Sequence, residues 1–90
     1  MDEAVHEQLK REWTDQLVEA DTSRPELQRF AGIVGRVVTV NWNNVCLVDF
    51  QDGGWYDIAP AYLKKLDHAV AKPKFDATAN SAQPIPAKQT

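Results

Sequence analysis

Turn signals cut residues 36–66 into runs too short for anything but a small antiparallel sheet. Residues 36–40 (RVVTV) and 45–50 (VCLVDF) are strand-like and β-branched, and Asn41-Trp42-Asn43-Asn44 joins them. Asn43 and Asn44 tolerate positive φ and are the expected hairpin residues. Asp52-Gly53-Gly54 turns the chain again, into Trp55–Ile58, and Pro60 ends that run. Ala61-Tyr62-Leu63 fits one helical turn, and residues 63–66 fit a short closing strand. Strands this short make a stable sheet only if the sheet closes on itself or is covered. Alternation puts Cys46, Val48 and Phe50 together on the buried face.

Upstream, Val5, Leu9, Trp13 and Leu17 recur every four residues behind Asp2 and Glu3, the pattern of an amphipathic helix. That helix either runs unbroken to Ala20 or stops near Trp13 and leaves residues 16–20 as a strand. Pro25 suits the first position of a short helical turn, with Ser23 as its cap and Gly32 as its stop. Downstream, residues 69–90 hold Val70, Phe75 and Ile85 as their only large apolar side chains. These are too few to offset the cost of ordering the backbone, so a disordered tail is expected. Phe75 and Pro84-Ile85-Pro86 are the points at which such a tail could dock.

Ninety residues at a net charge of −3 form one small domain with chain to spare. The charge is uneven: −4 over residues 1–24, −1 over 25–68 and +2 over 69–90. An acidic balance argues against nucleic acid or anionic lipid as a partner, since both need a positive field. No apolar run approaches a membrane span, and the acidic start lacks the basic charge of a signal peptide, so a cytoplasmic location is expected. Cys46 is the only cysteine, which removes an internal disulfide and a cysteine-based zinc site.

The stretch from Phe30 to Leu66 resembles a Src-homology-3-like small barrel: a long first loop, two hairpins, and a helical turn before the last strand. It is similar in layout to KOW domains. It also resembles small barrel accessory subunits of photosynthetic electron-transfer complexes, through Gly32, Gly35, Val37, Val48, Phe50, Gly53, Gly54 and Trp55. Such a barrel needs a strand ahead of its long loop, and residues 16–20 are the candidate, so the resemblance breaks the helix near Trp13. The implied fold is mainly β: an N-terminal helix within residues 1–14, a five-stranded small β-barrel over 15–68, and the tail over 69–90.

Catalysis finds little footing. His6 and His68 lie in no nucleophile or metal motif, Cys46 faces inward, and no glycine loop precedes a helix. Asp49, Asp52 and Asp57 do not match the spacing of a calcium loop and read as turn-forming and solvated carboxylates. No enzyme activity and no cofactor are expected. The aromatics are more informative. Trp42, at a hairpin, should be partly exposed, and the adjacent Trp55 and Tyr56 must point to opposite faces. The resemblance implies a groove for a proline-rich peptide, carried by Trp42, Trp55, Pro60 and Tyr62, which Gln83-Pro84-Ile85-Pro86 could itself fill. Arg24, Arg29, Arg36, Lys64 and Lys65 form a candidate basic face of the kind KOW-like modules turn to RNA. The expected role is a monomeric, non-catalytic protein-interaction module or accessory subunit. An RNA- or ribosome-associated module and a ferredoxin-docking subunit are the alternatives.

Overall fold

A computed structural model describes residues 3–82. The N-terminal helix α1 spans Glu3–Trp13 and the first strand, β1, spans Leu17–Ala20. A 3-10 turn over Pro25–Phe30 leads to β2 (Gly35–Val40), β3 (Cys46–Asp49) and β4 (Trp55–Ile58). A second 3-10 turn, Pro60–Tyr62, runs into β5 (Leu63–Lys65), and helix α2 follows over His68–Ala82. No helix among the described residues is long and apolar enough to cross a membrane.

The helix ends where the sheet captures the chain. Asp15 turns into the left-handed region (φ 67°), a conformation few non-glycine residues adopt. Its N–H then donates to the Val37 carbonyl at 2.8 Å, while the Val37 N–H donates to the Gln16 carbonyl at 2.9 Å. Helical periodicity through Leu17 is overridden by these two β bonds. The buried face of α1 also differs from the expected stripe: His6, Leu9 and Trp13 face the protein and Val5 is 45% exposed. In the first 3-10 turn Pro25 takes its expected place, but Ser23 is not the cap; its hydroxyl donates to Asp21 at 2.6 Å.

The five strands form one antiparallel sheet in the order β4-β3-β2-β1-β5. Strand order and connections are compatible with a Src-homology-3-like fold, but the expected closure is missing: β4 and β5 remain at the two edges. A register shift between Val37 and Thr39 marks a bulge in β2, which bends the sheet. The concave side holds the main core, where Val18, Val37, Cys46, Val48 and Phe50 are almost fully buried and the Phe30 and Phe50 rings stack at 4.1 Å. Gly35 is required there, since a Cβ would stand 2.7 Å from a Val48 methyl and 2.8 Å from the Phe50 ring.

Residues 69–82 are not a disordered tail. They belong to α2, whose Ala71 and Phe75 pack on Leu17, Val34 and Leu66 as a second apolar cluster. Two buried side chains four residues apart suffice because the receiving surface, the outer face of β1, is already built. The Asp67 carbonyl accepts from Ala71 at 2.9 Å in the first turn, and Lys72 pairs with Asp76 at 2.7 Å. The tail expected over 83–90, with Pro84-Ile85-Pro86, lies outside the described residues.

Because α2 depends on one aromatic contact and carries Pro73 in its interior, two substitutions should act oppositely. Phe75→Ala should cost about 3 kcal/mol or more in urea unfolding and lower the helical signal. Pro73→Ala should raise both, by at most the ~3 kcal/mol that an interior proline costs a helix.

Candidate functional site

The β2–β3 hairpin presents Trp42. The Asn41 side-chain oxygen accepts from the N–H groups of Asn43 (2.9 Å) and Val45 (3.1 Å), and Asn44 takes positive φ (61°), so the asparagines build the turn. Trp42 stands out of it, 62% exposed. The His6 ring stacks on the indole (centroids 4.0 Å apart, planes 15° apart), and His6 Nδ1 donates to Asn44 Oδ1 at 3.1 Å. His6 is 1% exposed, so it clamps α1 to the hairpin.

The β3–β4 hairpin is held by carboxylates. Asp49 accepts from the Gln51 N–H (2.8 Å) and Asp52 from the Gly54 N–H (3.2 Å), while Gln51 and Gly53 take positive φ. The Tyr56 hydroxyl donates to Asp52 Oδ2 at 2.7 Å, and Arg29 Nη2 donates to the same hydroxyl at 3.1 Å. Tyr56 therefore holds the Asp52 carboxyl below its usual range, helped by the Gly54 N–H and Arg29; bonding to Asp52 raises the Tyr56 phenol above its own. As alternation requires, Tyr56 faces the core and Trp55 faces out, 61% exposed.

The four residues of the expected peptide groove do not meet. Trp42 sits at the hairpin tip beyond the Val40–Cys46 pair, and Trp55 pairs with Asp49 at the other end of β3, roughly 10 Å away along the strand. Pro60 and Tyr62 share the second 3-10 turn, where the Arg24 guanidinium covers the Tyr62 ring at 4.1 Å. An open groove of about 350 Å³ does adjoin Tyr62, lined by Glu19, Asp21, Thr22, Ala61 and Lys64 among others. A second hollow of about 260 Å³, more apolar, lies between Val34, Leu66 and the start of α2.

The candidate basic face is dispersed over the first 3-10 turn, β2 and β5. Arg24 pairs with Glu26 (2.7 Å), Arg29 with Asp52 (3.7 Å), Arg36 with Asp15 (2.7 Å) and Lys65 with Glu12 (3.4 Å). Lys64 stands across from Glu19 in the β1–β5 ladder. Cys46 is fully buried, and burial pushes its thiol up to about 11. Among the described residues no three His, Cys, Asp or Glu side chains gather as a metal would need.

Reading the sequence alone missed two arrangements: the His6 clamp and the Arg29–Tyr56–Asp52 trio. Asp52 and Tyr56, four residues apart across a Gly-Gly turn, were the available signal for the second. No family model, curated protein or solved structure matches this chain. Its class is thus defined by the fold: a small antiparallel sheet carried between two helices, with aromatic side chains on its surface.

Two outcomes follow. Tyr56→Phe should move the Asp52 titration up towards the ordinary carboxylate value, read by NMR. The folded value is the depressed one, so Asp52 stabilises fully above the unfolded pKa and loses that contribution as pH falls through the folded value; the variant should lose it at higher pH. Iodoacetamide should leave Cys46 unmodified in the native protein at pH about 8 and alkylate it fully in urea.

Proposed function

We propose that this chain is a non-catalytic protein-interaction module, or accessory subunit of a larger complex, built on an open sheet of Src-homology-3-like topology. The topology reading is supported by the strand order, the long β1–β2 connection and the 3-10 turn ahead of β5. The interaction reading is carried by one observation: Trp42 and Trp55 stand 62% and 61% exposed on the sheet and its hairpin. Tryptophan is enriched among the few residues that carry most of the affinity at protein interfaces.

The chemistry elsewhere supports a role without catalysis. Among the described residues Cys46 is buried with its thiol pushed up, His6 is stacked on Trp42 and bonded to Asn44, and His68 stands exposed at the start of α2, so neither imidazole serves the thiol as a base. The three arginines of the candidate basic face, Arg24, Arg29 and Arg36, are each paired with a carboxylate, which leaves an RNA-associated or ferredoxin-docking role without the coherent positive patch it would need.

The test is capture of partners from the native cell extract by the tagged full chain, compared with a Trp42→Ala/Trp55→Ala variant. The variant should keep its far-UV spectrum and lose the partner. Capture unaffected by the double substitution, or no partner with either protein, overturns the reading. Single-stranded RNA titrated at low salt should not bind; binding lost near roughly 200 mM salt would replace this reading with an RNA-associated one.

A further inference from the structure

Strand β4 combines an unpaired sheet edge with an uncovered sheet face. Leu17, Arg36, Asp49 and Trp55 are successive cross-strand partners, so they share the outer face. Helix α2 covers this row only at its β1 end, where Ala71 and Phe75 lie on Leu17. At the β4 end Trp55 is left open, with Asp57 beside it on the same face and Leu47 across from Asp57. Alternate residues of β4 turn their N–H and C=O groups to β3, and the rest turn theirs outward. No described strand pairs with that outward side.

The charge on this face selects an occupant. Asp57 makes no hydrogen bond or ion pair with a described residue, and Asp49 has only the Gln51 N–H on its carboxylate. The nearest base in the row, Arg36, is held by Asp15 on the side away from β4. A phosphate backbone would meet two carboxylates. A second copy pairing through β4 would add a second Asp57 to this face and supply no base, since Trp55–Ile58 contains none. A lysine or arginine would instead lie on the Trp55 ring and reach Asp57, both favourable for a cation.

We infer that β4 accepts an extended basic segment of a partner protein as an added strand, with a Lys or Arg seated on Trp55 and paired with Asp57. This inference rests on the interaction reading and names the chemistry of its partner. Main-chain bonds to the β4 edge supply affinity, and side chains at every second position of the segment supply selectivity.

The full chain would be titrated with two synthetic heptapeptides, Thr-Lys-Thr-Lys-Thr-Lys-Thr and the same sequence with Glu for Lys, and followed by amide and indole NMR. The lysine peptide should shift residues 55–58 and the Trp55 indole, and the glutamate peptide should not. Asp57→Lys and Trp55→Ala should each weaken binding by about tenfold or more, while Glu7→Gln, on the exposed side of α1, should change it less than about twofold. Equal response to both peptides, shifts centred on β5 or the Trp42 hairpin, or no binding at about millimolar peptide would overturn the inference, leaving Asp57 only as a guard against edge pairing. A failed peptide with Trp-dependent partner capture intact overturns the basic segment alone. Failure of both overturns the interaction reading as well.

Discussion

The four residues of β1 bear the structure. Leu17–Ala20 is hydrogen-bonded along both edges, to β2 and to β5, and it is buried on both faces. Val18 and Ala20 enter the main core, while Leu17 turns the other way and receives α2. The two outermost strands, β4 and β5, each leave one edge unpaired. A chain of this size has little core to spend, and passing one strand through the middle of both apolar clusters lets a short segment serve two purposes. The register follows from this: a one-residue slip would put Val18 under the helix and Leu17 among the core side chains.

Polar contacts then set what surrounds that strand. His6, stacked on Trp42 and bonded to Asn44, fixes α1 against the β2–β3 hairpin, while Asp52, Tyr56 and Arg29 tie the β3–β4 hairpin to the first 3-10 turn. Separate ion pairs hold the other bases near the sheet: Arg24 with Glu26, Arg36 with Asp15 and Lys65 with Glu12. What stays unpaired at the β4 end is acidic and aromatic, and that residue of chemistry, rather than the basic side chains the sequence draws attention to, gives the surface its character.

Much of the sheet was legible in advance because its signals are local. Asn44 and Gly53 take the positive φ that turns demand, Pro25 and Pro60 open the two 3-10 turns, and alternation placed Cys46, Val48 and Phe50 inside. The candidate groove was less legible. Trp42, Trp55, Pro60 and Tyr62 lie within 21 residues of one another, but hairpins send near neighbours in sequence to opposite ends of a strand. Proximity along the chain carried no information about proximity across the sheet.

By itself the sequence determined where the chain turns, which residues extend between turns, and which face of β3 is apolar, because steric preference and period-two alternation act within a few residues. It could not decide where α1 ends, since that depends on the Asp15 and Gln16 bonds to Val37, more than twenty residues away. Nor could it decide that residues 68–82 are helical. Ala71 and Phe75 become sufficient only when Leu17, Val34 and Leu66 are assembled beneath them. A marginal helix is stabilised by the surface it lands on, and that surface exists only in the folded molecule.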